Sequence, residues 1–130
     1  MEKQFTLGKE ERLKSRKQIE LLFREGKKFS VTPFRVHYVF NKMASPPLQF
    51  GVGVGNKNFK RAVDRNRIKR LVREAYRLQK ITLYQKVKEK KGQLNIFIIY
   101  TGKEIPEYRE VFVQMNKILD KLNHIIDTEN

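Results

Sequence analysis

Residues 93–100 read QLNIFIIY, a short run that is apolar on both faces of a predicted β-strand. Two further strands are predicted before it. Residues 32–40, TPFRVHYVF, alternate so that one face is fully apolar. Residues 50–56, FGVGVGN, place Val52 and Val54 on one side and three glycines on the other. These segments predict a small sheet that packs against helices.

The first predicted helix has both a start signal and a stop signal. Ser15 and Gln18 form a capping-box pattern, in which each side chain satisfies a backbone N–H at the helix start. Gly26 indicates the C-terminal end. Between these signals an apolar stripe runs at i, i+3 and i+4 spacing, formed by Ile19, Leu22 and Phe23.

The last predicted helix is opened by Pro106, whose fixed φ suits the first turn. One side of this helix is apolar, with Val111, Met115, Ile118, Leu122 and Ile126. No repeat or convincing linker divides the chain. The order helix, strand, strand, basic helix, strand, helix therefore predicts a small α/β sandwich, a single domain over residues 1–130.

Residues 60–80 predict a helix with two chemically different sides. The apolar side contains Ile68, Leu71, Val72 and Ala75. The opposite side, called the basic face below, has Arg65 at its edge and consists of Asn66, Lys69, Arg70, Arg73 and Arg77. Near the helix start, where unpaired N–H groups also favour anions, lie Lys57, Lys60 and Arg61.

The charge of the chain indicates an anionic partner. It has 29 Lys and Arg against 14 Asp and Glu, a net charge of +15, which favours nucleic acid or an anionic membrane. Between residues 57 and 80 the acids are Asp64 and Glu74 alone. Because a face of one sign repels itself unless an anion balances it, we favour nucleic-acid binding over a merely solvated helix face.

Catalysis by the chain itself is not expected. His37 and His124 stand apart from any nucleophile or ligand motif, and the acids form no pair at strand ends. The GVGVG segment lacks the spacing and the following Lys of a phosphate loop. Without cysteine there is no disulfide framework and no Cys-based zinc site. We therefore predict no catalytic residue and no metal ligand.

The sequence also bears on location. The N-terminal segment lacks the apolar stretch of a signal peptide, and the longest apolar run, residues 96–100, is too short to span a bilayer. We expect a soluble, cytoplasmic protein without a membrane partner.

The glycines of the second strand, Gly51, Gly53 and Gly55, need a reason because glycine weakens a strand. One explanation is close packing of a helix on that face. The other is a shallow groove floor left open for an extended ligand, which Arg35 and His37 would continue if their strand lies alongside. The residue pattern leaves both explanations open.

The segment GVGVGNKNFKRAVDRNRIKRLVREAYR resembles the signature region of the bacterial ribonuclease P protein subunit, with the Arg-Asn-Arg motif inside RNRIKR. The segment RLKSRKQIELLFREGKKF resembles the start of that family. The resemblance implies an αβββαβα, ribosomal-protein-S5-domain-2-like α+β sandwich, with the basic helix in a rare left-handed crossover between parallel strands. It implies as partners the catalytic ribonuclease P RNA and precursor tRNA, without DNA, and Mg²⁺ bound mainly by the RNA subunit and the substrate.

The resemblance also implies roles for individual residues. Against the catalytic RNA it places Arg65, Asn66, Lys69, Arg70, Arg73 and Lys57, and the neighbouring Lys60 and Arg61 join this set. In a cleft for the 5′ leader, between the first helix and the sheet, we expect Ile19, Phe23, Arg35, His37, Gly53 and Gly55. The resemblance thus favours the cleft-floor explanation of the glycines. Replacing Arg65 and Arg70 with Ala is expected to weaken RNA binding and leave the fold intact.

Three positions depart from the family pattern. Asn56 stands where a lysine is usual, and Ile19 and His37 occupy positions that are often aromatic. We therefore expect weaker stacking on leader bases, with Arg35 or His37 contacting phosphates instead. The main alternative is a generic, ribosomal-type RNA-binding protein without a role in cleavage. A DNA-binding regulator or a stand-alone nuclease fits the residues less well.

Overall fold

A computed structural model describes residues 11–129 and places a four-stranded β-sheet between helices. The strands are β1 (Lys27–Val31), β2 (Phe34–Lys42), β3 (Leu48–Val54) and β4 (Gly92–Tyr100). Their order in the sheet is β1-β2-β4-β3, with β4 antiparallel to β2 and parallel to β3. The three strands predicted from the residue pattern are therefore confirmed, and β4 lies in the interior of the sheet.

The strand β1 was implied by the family resemblance but not by the residue pattern. It is an edge strand that pairs antiparallel with β2. Its apolar residues Phe29 and Val31 are only half-buried, and its other residues are exposed. Such a strand gives a weak alternation signal, which explains why the pattern alone missed it.

The helices are α1 (Arg16–Glu25), α2 (Ala62–Gln79), α3 (Ile81–Glu89) and α4 (Tyr108–Asp127). The α+β fold class is confirmed, with three strands before the basic helix. The helix α3 is an addition to the expected order, since residues 60–80 predicted one helix and nothing after it. It forms because Leu83 and Val87, one turn apart, are both fully buried. The crossover from β3 to β4 thus contains two helices, and its left-handed sense stays a prediction.

One face of the sheet and the helices α2, α3 and α4 form the hydrophobic core. Alternate residues of β4 that point into it, Leu94, Ile96 and Ile98, are completely buried. From α2, the ring of Tyr76 stacks on Phe50 of β3 with the ring centroids 3.8 Å apart. The predicted apolar side of α4 is confirmed, since its five residues are all buried.

The other face of the sheet is partly covered by α1. Its N-cap is confirmed, because the Ser15 hydroxyl accepts a hydrogen bond from the Gln18 N–H at 3.4 Å. Gly26 follows the last helical residue, and its N–H donates to the Leu22 carbonyl at 2.8 Å. The Leu22 side chain is buried against the sheet, so α1 is fixed across β2 and β4.

The last helix begins later than Pro106. Glu107 is the N-cap, and a capping box links it to Glu110, whose carboxylate accepts from the Glu107 N–H at 3.4 Å. The two reciprocal hydrogen bonds satisfy the backbone N–H groups of Glu107 and Glu110 at the start of the helix. Within residues 11–129, no helix is both long and apolar enough to cross a bilayer.

Candidate RNA-binding site

The helix α2 presents its basic face to solvent as the sequence predicted. Ile68, Val72 and Ala75 are completely buried, so the helix is held against the core by its apolar side. The predicted contact residues Asn66, Arg70 and Arg73 are exposed, and Lys69 is half-buried. These side chains are positioned by a rigid helix rather than by a loop.

Arg77 differs from the rest of the basic face. Its guanidinium binds the Glu74 carboxylate through two hydrogen bonds, of 2.6 Å from Nη2 and 3.1 Å from Nε. This contact lowers the pKa of Glu74. The charge of Arg77 is therefore balanced within the helix, and the uncompensated part of the basic face ends near Arg73.

Arg65 has a contact that the sequence did not reveal. Its Nη1 donates to the backbone carbonyls of Phe59 and Lys60, both at 2.8 Å. The side chain thus binds the loop that precedes α2, and Arg65 is half-buried as a result. The sequence-based expectation that replacing Arg65 leaves the fold intact stays a prediction, but these two hydrogen bonds indicate that the replacement would loosen this loop.

The loop between β3 and α2 exposes the other basic residues near the helix start. Lys57, Lys60 and Arg61 are all exposed there. Arg61 lies 3.5 Å from the Asp64 carboxylate, a surface ion pair of little energetic value. The amide of Asn58 donates to the Gly102 carbonyl at 3.3 Å and ties the loop to the segment after β4.

A groove of about 410 Å³ lies beside the basic face and is called the β3 groove here. Its walls come from the segment before α1, from α1, from β3 and β4, and from α2. The residues that line it are Arg12, Leu13, Lys14, Ile19, Phe50, Gly51, Val52, Gly53, Val54, Lys69, Arg73 and Phe97. Lys69 and Arg73 therefore belong both to the basic face and to the groove.

Four cationic side chains border the β3 groove, and no acid is among its lining residues. Partial burial of the guanidinium in the groove lowers the pKa of Arg73, and the charge of Arg12 lowers it further, so these two guanidinium groups lie close enough to repel each other. An anionic ligand in the groove would relieve this repulsion. The electrostatics of the groove therefore favour a chain of phosphates.

An aromatic cluster lies next to the groove on the same face of the sheet. Phe23 of α1 is 43% exposed; its ring lies 4.6 Å from that of His37 on β2 and 5.4 Å from that of Phe97 on β4. In the strand register His37 is opposite Phe97, and Arg35 is opposite Ile99. The surface thus combines flat rings with a cation, as single-stranded nucleic-acid sites do.

His37 lies in a positively charged environment. Burial lowers its pKa below the ordinary value of 6.5, and the charges of Lys28 and Arg35 lower it further. Lys28 of β1 is opposite His37 in the register, so the cationic surface continues to the edge of the sheet. In the protein without ligand, the neutral form of the His37 imidazole is therefore favoured over the charged form.

The three glycines at the end of β3 have different surroundings, so neither close packing nor an open groove floor explains all of them. A Cβ on Gly51 would lie 2.9 Å from the Leu13 carbonyl oxygen and 2.7 Å from the Phe97 ring, so this glycine allows close packing. A Cβ on Gly53 would lie 3.0 Å from the same ring, on the open floor of the groove. Gly55 is exposed beyond the strand, with no atom within 4 Å of a Cβ, and it does not line the groove.

Arg12, Lys14 and Phe97 belong to this surface but were not predicted from the sequence as site residues. Arg12 and Lys14 precede α1 in RLK, and Leu13 anchors them, because its N–H donates to the Phe50 carbonyl at 2.9 Å. Phe97 was assigned only to an apolar strand. Its position between Ile96 and Ile98, which face the core, was the signal that it faces the groove.

Comparison with known proteins gives a consistent family. A family model described as Ribonuclease P matches residues 7–123. A ribonuclease P protein component of Porphyromonas gingivalis is 41% identical over 119 residues, which cover 91% of this chain and 87% of that protein. One from Dictyoglomus turgidum is 33% identical over 115 residues, covering 87% and 89%.

Solved structures agree in fold. The RNase P protein from Thermotoga maritima has a TM-score of 0.67 and 27% sequence identity, covering 85% of this chain and 96% of that one. An RNase P protein from Staphylococcus aureus has a TM-score of 0.68, covering 87% and 95%, and its 20% identity speaks for the fold alone.

Proposed function

The chain belongs to the ribonuclease P protein family, and from this premise we propose that it binds the catalytic RNA and the 5′ leader of precursor tRNA. In this role it assists removal of the leader to give the mature 5′ end of tRNA. The RNA subunit carries the catalysis. The observation that supports both contacts is that Lys69 and Arg73 belong to the basic face and also line the β3 groove.

The basic face of α2 is the proposed contact with the catalytic RNA. Asn66, Arg70 and Arg73 project from a helix whose opposite side is buried, so they can reach phosphates without a change in the fold. Arginine forks match phosphate oxygens in geometry as well as in charge. The exposed Lys57 and Lys60 extend this contact along the loop before α2.

The β3 groove and the aromatic cluster are the proposed contact with the leader. The bases would stack on Phe23 and Phe97, while Arg12, Lys14 and Arg35 attract the phosphates. Ile19 lines the groove but offers no ring, so stacking relies on Phe23 and its neighbours. The leader would thus lie across the sheet, between α1 and the start of α2.

The protein is assigned no metal ligand in this proposal. Among residues 11–129, no group of three or more His, Cys, Asp or Glu side chains could hold a metal ion. The Mg²⁺ that the family requires would be held mainly by the RNA subunit and by the substrate. The protein itself would bind the two RNAs and orient them relative to each other.

Cleavage of a 5′-extended precursor tRNA at low Mg²⁺ tests the proposal. Three reactions are compared: protein alone, ribonuclease P RNA alone, and both together. We expect cleavage at the mature 5′ end to be strongly enhanced when both are present. RNA binding without enhancement would instead favour the generic RNA-binding protein, and cleavage by purified protein alone would mean that the chain contains an active site.

A further inference from the structure

A second groove lies at the other end of the sheet and is called the α3 groove here. It has a volume of about 420 Å³, within the range of small-ligand sites. Its walls are the connection between β2 and β3 on one side and α3 with the start of β4 on the other. Its lining includes Met43, Ser45, Pro47, Tyr84, Lys88 and Lys91.

The α3 groove is separate from the β3 groove. It includes Gly92, at the amino end of β4, whereas the β3 groove reaches Val54, at the carboxyl end of β3. Since β3 and β4 are parallel neighbours, these two positions lie toward opposite ends of the sheet. A ligand of the α3 groove would therefore be a different nucleotide or a different molecule from one in the β3 groove.

The rim of the α3 groove carries positive charge that no ion pair within residues 11–129 balances. In the same lysine-rich segment, Lys86 pairs with the Asp127 carboxylate at 3.0 Å, and Lys90 donates to the Glu129 carbonyl at 2.6 Å. Lys88 and Lys91 line the groove, and neither forms an ion pair with residues 11–129. The charge of the rim therefore suits an anionic group.

One wall of the α3 groove contains a residue, Met43, in an uncommon backbone conformation. Within residues 11–129, the non-glycine residues with positive φ are Met43, at 56°, and Lys91, at 57°. Both line the groove, and the Met43 side chain is 85% exposed. The left-handed conformation is common after a helix, where glycine is preferred, but Met43 is not in such a position. Strained residues of this kind concentrate at binding sites.

We propose that the α3 groove binds one unpaired nucleotide of the ribonuclease P RNA. Tyr84 offers an aromatic ring and Met43 a polarisable side chain, and together they form an apolar seat for a flat base. Lys88 and Lys91 then neutralise the adjoining phosphate. The base must be unpaired, since a base within a helix cannot reach a pocket of this kind.

The proposal rests on the proposed RNA-binding function and adds a second point of attachment. The basic face and the α3 groove would hold the same RNA at two separate places on the protein. Two linked contacts bind more tightly than either alone, provided that the RNA can span them. The alternative is that Lys88 and Lys91 only stabilise α3, through the favourable interaction of their positive charge with the negative, carboxyl end of the helix dipole.

Directed cleavage of the RNA tests the location of the contact. The chain has no cysteine, so Lys42→Cys provides a single attachment point for an iron chelate beside the groove. In the complex with the cognate RNA, we expect hydroxyl radicals to cut a few neighbouring nucleotides in one unpaired segment. The cuts should disappear when Lys88→Gln and Lys91→Gln are added. A chelate at Val113→Cys, exposed on α4, is the control and should not cut that segment.

The salt dependence of RNA affinity tests the chemistry. For each RNA phosphate that the protein no longer neutralises, the slope of log K against log salt should become shallower by about 0.7. We expect this for the Lys88→Gln, Lys91→Gln variant and a smaller change for Lys117→Gln with Lys121→Gln, which removes the same charge from α4. Equal changes in both variants would show that only general charge matters, and this would overturn the proposal.

The remaining outcomes separate this proposal from the function on which it rests. If the wild-type protein does not enhance cleavage of precursor tRNA, the proposed function itself fails. If it does so and the chelate beside the groove gives no focused cuts, the α3 groove is not a nucleotide site. Binding of an acidic peptide that depends on Lys88 and Lys91, without RNA cuts, would make it a protein-docking site and would likewise overturn the proposal.

Discussion

The ring of Phe23 on α1 lies 4.6 Å from the imidazole of His37 on β2, with the two planes tilted by 52°. This contact connects the helix that covers part of the sheet to the strand that carries Arg35. It also leaves the Phe23 ring 43% exposed at the edge of the proposed leader site. Phe23 is therefore both fixed in position and available to a base.

Replacing Phe23 with Ala should weaken binding of precursor tRNA more than binding of mature tRNA. A stacked base contributes about 1–3 kcal/mol, or roughly 5- to 150-fold in affinity. Leu21→Ala is a matched control, because Leu21 is 44% exposed on the same helix but offers no ring on which a base could stack. The measurement is the dissociation constant of each variant complex for substrates with and without a leader. Equal losses for the two substrates would remove Phe23 from the leader site.

Leader affinity should increase as the pH falls from about 8 to about 6, the range in which histidine titrates. The pKa of His37 is lowered in the protein by burial and by Lys28 and Arg35. A leader phosphate nearby would favour the charged imidazole and raise this pKa, so the complex takes up a proton. The pH dependence should be reduced in His37→Gln and retained in His124→Gln. Identical pH profiles for all three proteins would place the leader away from His37.

The same shift predicts the pH dependence of stability. Because the pKa of His37 is lower in the folded protein than its ordinary value of 6.5, the unfolded chain binds the proton more readily. The contribution of His37 to stability is therefore complete above 6.5 and is lost as the pH falls from 6.5 through the lowered pKa. Denaturant unfolding of wild type and His37→Gln across this range tests this: the difference in stability between the two proteins should be constant above about pH 6.5 and should shift against wild type as the pH falls below it.

Arg65→Ala and Arg70→Ala should have different effects, although both residues lie off the apolar side of α2. Arg70 is exposed and forms no hydrogen bond or ion pair with residues 11–129, so Arg70→Ala should weaken RNA binding at nearly unchanged stability. Arg65→Ala breaks the two hydrogen bonds to the loop before α2 and should cost about 1–3 kcal/mol of stability. Thermal unfolding and RNA affinity of the two single variants, measured together, test this. A fully stable Arg65→Ala protein would show that the loop does not depend on Arg65.

The parts of the fold that were predictable are those in which local periodicity decides the structure. The apolar side of α4 and the alternation in β2 appear in the sequence because each segment packs on one broad surface. The helix α3 did not appear, since its two buried residues share a nine-residue segment with lysines. The break between α2 and α3 depends on tertiary packing. Lys80, which lies between the two helices, is buried and forms an ion pair with the distant Glu11.

The candidate site was predictable only where a motif carried it. The basic face follows from helical spacing, and Phe23 and Gly53 followed from the family resemblance. Arg12 joins the site through its bridge to Phe50, a contact between distant segments that no local pattern encodes. The alternation of β4 indicates which face Phe97 lies on, but only the strand register places it beside Gly51. The hydrogen bonds of Arg65 are likewise invisible in the sequence, because an arginine in an RNA-binding motif has no separate signature for a structural contact.

Alanine substitutions at Gly51, Gly53 and Gly55 should change stability by different amounts, because the space around each glycine differs. Gly51→Ala should destabilise the protein by about 1–3 kcal/mol, since the new Cβ would lie 2.9 Å from the backbone oxygen of Leu13 and displace residues 12 and 13. The same displacement moves Arg12, so leader affinity should also fall.

Gly55→Ala is the matched control for this series. Nothing lies within 4 Å of its Cβ and its φ is not positive, so the variant should be as stable as wild type or slightly more stable. Gly53→Ala should lie between them in stability, yet it should weaken leader binding because its Cβ raises the floor of the groove beside Phe97. Denaturant unfolding and leader affinity of the three variants test the series. A Gly51→Ala protein with wild-type stability would show that residues 12 and 13 do not pack on β3, and the groove would then lack one of its walls.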